Sequence, residues 1–147
     1  MAQRSPSPHP HPAPDKRKVL TKAVIRAARA LAINQSKVAA TLGVSDPTVS
    51  RMFAEKYLLD PARKEWELGA LFVRLFRSLD SIVASDEKAR AWLNSENRAL
   101  GARPIDLLPR AEGLIRVLLY LDSVRGQGSL PELPSPPRAR PKALPTS

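Results

Sequence analysis

Apolar positions recur at helical spacing through the middle of the chain and thin out towards both ends. Leu20, Val24, Ala27/Ala28 and Leu31 fall at i, i+4, i+7/8 and i+11, a single stripe that predicts a first helix over about 16–33. A second run predicts a long helix opened by Pro61, whose missing N–H costs nothing in a first turn. It carries Trp66, Leu68, Leu71, Phe72, Val73, Leu75, Phe76, Leu79, Ile82 and Val83. These cover most of its circumference, so the helix is expected between layers or in a dimer contact. Ser85, followed by Asp86 and Glu87, predicts the capped start of a short helix whose Trp92 and Leu93 face the core. Pro109 is expected to open the last helix, "RAEGLIRVLLYLDSVRG", closed by Gly126. No stretch alternates as a strand does, and no internal repeat is found.

Between the first two helices lies "NQSKVAATLGVSDPTVSRMF". Asn34 or Ser36 caps a short helix with Val38, Ala39 and Leu42 inward, and Ala39 is small because another helix crosses close by. Gly43 takes a tight turn that asks for positive φ. Val44 plugs that turn. Ser45 caps the next helix, and Pro47 is tolerated in its first turn. With Val49 and Met52 inward, Asp46, Pro47, Thr48, Ser50, Arg51 and Ala54 are left outside or at the edge. Short polar groups followed by a base suit a helix entering the major groove.

Charge sharpens the picture. Residues 15–57 hold nine bases and three acids, a net of +6, whereas residues 58–128 hold eleven bases and ten acids, a net of +1. The whole chain carries +10. A basic segment beside a neutral one points to one face for a polyanion and another for protein, the plain alternative being liberal use of arginine throughout. Candidate DNA contacts are Gln35 and Ser36, meeting the backbone from their helix start, and Asp46, Pro47, Thr48, Ser50 and Arg51. Arg51 reads a base or grips a phosphate, and Asp46 caps its helix or accepts from a cytosine amino group; sequence leaves both open.

The stretch resembles the helix-turn-helix of Xre/Cro-type repressors at Gln35, Val38, Ala39, Leu42, Gly43, Val44, Val49 and Met52. The C-terminal half of the body resembles the antitoxins of the Xre/MbcA/ParS group, on "FVRLFRSLDSI", "ARAWLNSENRALGARPIDLL", Gly113 in "AEGLIRVL", and "YLD". Together the two resemblances cover about 16–126. They imply a partner, a RES-domain toxin that consumes NAD, and a complex that represses its own operon. Independently, "NRALGARPIDLL" is an irregular segment on a helical scaffold, where recognition tends to sit. Asn97, Arg98, Arg103, Pro104 and, nearer the end, Arg125 are the candidate toxin contacts. The competing reading is that Trp92, Asn97, Gly101 and Pro104 build the local fold, and Trp92, Leu107 and Gly113 are read that way.

The expected organisation is all-α. A proline-rich arm, 1–15, precedes a helix-turn-helix segment, 16–60. A central connecting or dimer helix, 61–84, leads to a toxin-binding segment, 85–128, and a proline-rich tail, 129–147. Eleven of the fifteen prolines lie in residues 1–14 and 129–147, which reads as disorder. The absence of cysteine excludes disulfides and fits a reducing cytoplasm. No apolar run is long enough for a membrane span. His9 and His11 on the arm make a weak metal site, so no metal or cofactor is expected. With no histidine in the body, no P-loop and no glycine-rich nucleotide turn, an enzyme is not expected. The chain reads as a homodimeric antitoxin that binds operator DNA; the alternative is a stand-alone dimeric regulator whose C-terminal lobe only dimerises.

Overall fold

The structure, a computed structural model, describes residues 15–126. The expectation of disordered proline-rich ends therefore lies outside the described residues. Within them every regular element is helical, in the order α1 (Lys16–Ala30), α2 (Gln35–Leu42), α3 (Asp46–Phe53), α4 (Lys64–Ile82), α5 (Asp86–Asn94), α6 (Pro104–Leu107) and α7 (Ala111–Gly126).

Asp15 caps α1 by accepting from the Arg17 N–H at 3.0 Å. The helix stops three residues short of the expected end. Ala32 turns left-handed (φ 53°), and the Ala32 and Ile33 N–H groups bond back to the Arg29 and Ala28 carbonyls. That closure satisfies the last orphan carbonyls of the helix. Val24, Ala27, Ala28 and Leu31, the core of the predicted stripe, are fully buried. Asn34, rather than Ser36, caps α2, its Oδ1 accepting from the Lys37 N–H at 2.8 Å. Gly43 takes φ 70° at the end of α2, and Ser45 caps α3 through the Thr48 N–H at 3.3 Å.

The start of α4 differs from expectation. Pro61 sits in a turn, and the helix opens at Lys64. Asp60 forms that turn: its carbonyl accepts from the Arg63 N–H and its Oδ1 from the Ala62 N–H at 2.9 Å. Val83 lies just past the other end, as the C-terminal cap. Of the settings expected for α4, packing between layers is observed within the chain, on α1 and α2 and on α7. Gly69 permits the close approach, since a Cβ there would lie 3.0 Å from Leu59 Cδ1 and 3.4 Å from Val24 Cγ2.

Ser85 caps α5 as predicted, and Trp92 stacks on Tyr120 of α7 with ring centroids 6.0 Å apart. Pro109 does not open α7; it lies in the α6–α7 turn, where the Arg110 N–H bonds to the Leu107 carbonyl at 3.3 Å. Gly113 is buried against that same carbonyl. Asp122 ties α7 to α4, accepting from Arg74 at 2.8 Å and Ser78 at 3.1 Å. One continuous apolar core runs from Val24 in α1 through Leu42, Met52 and Leu75 to Val124 in α7. The helix-turn-helix and the C-terminal helices thus share a core, with α4 as its spine.

Candidate nucleic-acid interface and partner-binding face

The α2–α3 pair is fixed from within. Val38, Ala39, Leu42, Val49 and Met52 are at most 2% exposed. Their burial sets the opposite side of α3 outward. Pro47, Ser50 and Arg51 are exposed there, and Thr48 is half-buried with its hydroxyl 2.8 Å from Ser45 Oγ. Gln35 and Ser36 stand exposed at the start of α2, and Ser36 donates to Asp46 Oδ2 at 3.1 Å. The Ser36–Asp46 bond joins the two helix starts. Asp46 therefore occupies the favourable end of the α3 dipole while the capping itself falls to Ser45. The seven residues expected on this face fall in two stretches, Gln35 and Ser36 at the start of α2 and Asp46, Pro47, Thr48, Ser50 and Arg51 on α3, and the Ser36–Asp46 bond joins the two.

Arg51 is held in an arrangement the sequence did not reveal. Its guanidinium carbon lies 5.9 Å from the centre of the Tyr57 ring, within reach of a cation–π attraction. The Tyr57 hydroxyl donates to the Glu65 carboxylate, with oxygens at 2.8 and 2.9 Å. Glu65 is only 4% exposed and also accepts from the Asp60 N–H at 3.2 Å. Burial, and after it the bond to Glu65, raises the Tyr57 phenol above its ordinary value. Tyr57 and Glu65 thus carry a connection from the base of α3 to the first turn of α4.

The residues expected to meet a protein partner divide into two groups. Asn97 and Pro104 are buried. Asn97 Oδ1 accepts from the Leu100 N–H at 3.1 Å, and its backbone pairs with Ala102 and Gly101. Gly101 takes φ 72°, and Pro104 opens α6. These residues shape the loop from inside. Arg98, Arg103 and Arg125 are at the surface. Arg103 forks onto Asp106 at 2.9 and 3.1 Å, a bond that raises the arginine pKa and lowers that of the aspartate. Arg125 contacts Asp122 at 3.3 Å. Arg98 makes no ion pair among the described residues.

Two apolar residues missing from the sequence-based set stand out on α7. Ile115 is 41% and Leu119 is 60% exposed, one helical turn apart on the same face. The available signal was the apolar character of "LIRVLLYL" on nearly all sides of its helix, more than one packed face can absorb. Among the described residues no group of three or more His, Cys, Asp or Glu is arranged to hold a metal ion. No described helix is long and apolar enough to cross a membrane.

Comparison with known proteins matches two family models in succession along the chain. The model of the antitoxin Xre-like helix-turn-helix domain matches residues 10–74, and that of the antitoxin Xre/MbcA/ParS C-terminal toxin-binding domain matches residues 78–126. No curated protein matches the chain. Among solved structures, a chain of the crystal structure of the M. tuberculosis MbcT–MbcA toxin–antitoxin complex is similar, with a TM-score of 0.58 and 24% identity over 77% of this chain and 98% of that one. At that identity the likeness speaks for the all-helical fold. With the two antitoxin domains matched in sequence in that order, the chain belongs to the Xre/MbcA/ParS antitoxins, a helix-turn-helix domain followed by a toxin-binding domain.

Proposed function

We propose that this antitoxin works in the cytoplasm as a homodimer, neutralises a RES-domain toxin that consumes NAD, and binds operator DNA to repress its own operon. The observation that carries the DNA half is the outward face of α3, where Pro47, Ser50 and Arg51 are exposed on a scaffold whose inner residues are buried. One such helix spans few base pairs. A two-fold dimer presents two, meeting half-sites about one helical turn, or ~34 Å, apart. The toxin half is supported by the match to a toxin-binding domain over 78–126 and by a similar chain in a toxin–antitoxin complex. The division into 16–60 for DNA, 61–84 as connecting helix and 85–128 for toxin follows the same logic.

The contact with toxin falls to Arg98, Arg103 and Arg125 at the surface, with Ile115 and Leu119 supplying apolar area. Asn97 and Pro104 hold the loop that presents Arg98. A pocket that takes NAD must accept a pyrophosphate and place acids for catalysis, and an arginine directed at those acids blocks it. Opposite-charge reversal at a desolvated pair costs more than the ~2–5 kcal/mol of removing one partner.

The test separates the two surfaces. Arg51→Glu is expected to abolish the gel shift on DNA upstream of the gene while still rescuing cells from the toxin. Arg98→Glu with Arg103→Glu is expected to do the reverse. Rescue lost with Arg125→Glu but kept with the Arg98/Arg103 pair moves the inhibitory contact to the end of α7. A neighbouring reading frame that encodes no RES-domain protein, together with no rescue from any such toxin, favours a stand-alone regulator.

A further inference from the structure

Beside α3 the surface opens into a concavity of about 610 Å³. Ser45, Thr48 and Arg51 form one wall; Arg17 from the start of α1, and Arg63 and Lys64 from the start of α4, complete it. Four bases line this space against two acids, Asp60 and Glu65, a net of +2. Both acids are already engaged. Glu65 is taken up by the Tyr57 hydroxyl and the Asp60 N–H. Asp60 accepts from the Ala62 N–H and lies 3.6 Å from Arg63 in an exposed pair, which water screens. Arg17 has the Leu59 carbonyl at 3.3 Å, and Arg51 and Lys64 make no ion pair among the described residues. The positive charge is thus left facing solvent.

Helix formation does not account for Arg63 and Lys64. Arg63 occupies the capping position of α4 and makes no side-chain cap bond, where Ser, Thr, Asp or Asn would accept from the first N–H groups. Lys64 follows at the positive end of the helix dipole, which disfavours a cation. A local choice that works against its own helix marks a position held for another purpose. A second copy of this surface is a poor occupant, because bases would face bases. The polar, cationic lining, continuous with the outward wall of α3, matches a chain of phosphates.

We propose that Arg17, Arg63 and Lys64 form a phosphate-binding step that carries the α3 surface onto the sugar–phosphate backbone of the same DNA duplex. The connection from Arg51 through Tyr57 to Glu65 in α4 holds the reading helix and the step at a fixed spacing. Phosphate contacts set register without reading sequence, whereas the outward side chains of α3 supply discrimination. This rests on the reading of α3 as the DNA-contacting helix.

The experiment measures binding of the full chain by fluorescence anisotropy across a range of KCl concentrations. One duplex comes from upstream of its own gene and one is a scrambled duplex of equal length. Each neutralised phosphate adds about 0.9 to the slope of log K against log salt. In the proposed homodimer each substitution removes two bases from the complex, so Arg63→Gln combined with Lys64→Gln is expected to reduce that slope by about 3.6 and to weaken both duplexes by the same factor. Lys64→Gln alone is expected to reduce it by about 1.8, which keeps the test decisive if the double variant melts early. Arg51→Ala runs alongside. An unchanged slope in the Lys64 and double variants, while Arg51→Ala still weakens the upstream duplex, overturns the step alone. A loss confined to the upstream duplex also overturns it, since these residues would then read bases. If Arg51→Ala and the step variants all leave both duplexes unaffected, the reading of α3 falls and the step with it.

Discussion

Gly113→Ala tests the packing of α7 because two effects of opposite sign compete there. Helix propensity alone favours alanine over glycine inside a helix by about 0.8–1.0 kcal/mol. Sterics oppose it. A Cβ built on Gly113 would lie 2.1 Å from the Leu107 carbonyl oxygen and 2.9 Å from its carbon, both of them backbone atoms that cannot rotate away. The oxygen is about 1.3 Å short of ordinary contact, well up the repulsive wall. Relief requires α7 to move off the α6 turn. Leu114, Val117, Leu118 and Leu121, all buried, move with it. Overpacking costs about 1–3 kcal/mol, and a clash with fixed backbone falls at the upper end, so after the ~1 kcal/mol returned by propensity the net effect is destabilising by roughly 2 kcal/mol. At a domain of this size that corresponds to a melting temperature lower by roughly 4 °C per kcal/mol. Gly126→Ala is the control, since nothing among the described residues lies within 4 Å of a Cβ there. Thermal and urea melts of both variants are the assay. The expected result is a clear loss for Gly113→Ala and little change for Gly126→Ala. A Gly113→Ala protein as stable as wild type, or more so, refutes the close approach of α7 to Leu107.

Gly101→Ala meets no atom of the described residues within 4 Å but must adopt φ 72°, so it should cost about 1–2 kcal/mol from backbone strain alone, read by urea denaturation. An unaffected midpoint would mean the loop takes another conformation. Tyr57 is raised in the folded state, so its contribution to stability is complete below its unfolded pKa and is lost as pH rises through the folded value. Stability of the wild type should therefore fall more steeply above about pH 10 than that of Tyr57→Phe, and parallel curves would contradict the Tyr57–Glu65 bond. Asp106 is lowered by Arg103, so their pairing is present above the ordinary carboxylate pKa and lost as pH falls through the depressed one. An NMR titration of the Asp106 carboxyl should show that depression in wild type and its absence in Arg103→Gln.

Much of the helix-turn-helix was legible because its signals are local. Gly43 and Ser45 act on backbone groups within a few residues of themselves, so their types and spacing suffice, whereas the cap of α2 was left open between Asn34 and Ser36. The starts of α4 and α7 were set too early because proline fits either the first turn of a helix or the turn before it. At Pro61 the outcome depends on Asp60, whose own side chain builds the preceding turn. At Pro109 it depends on the Leu107 carbonyl, which sits under Gly113. Tertiary partners were the least legible. The charges of Arg103 and Arg125 were plain, but the convergence of Arg74, Ser78 and Arg125 on Asp122 depends on α4 lying along α7. The same holds for Ile115 and Leu119: a helix apolar on nearly all sides does not announce which face its neighbours will cover. Tyr57 and Glu65 gave no signal, since a tyrosine and a glutamate eight residues apart across a turn are commonplace until the chain brings them together.

In the proposed function, the C-terminal half of this antitoxin silences a NAD-consuming enzyme while the α3 face is free to hold DNA. Titrating the purified full chain into the proposed RES-domain partner, while following NAD consumption, puts that division to the test. Turnover should stop near stoichiometric addition. Arg51→Glu should inhibit as well as wild type, and the Arg98→Glu/Arg103→Glu variant should inhibit far less. Undiminished NAD consumption in the presence of a clear excess of the folded wild-type chain would contradict the proposal.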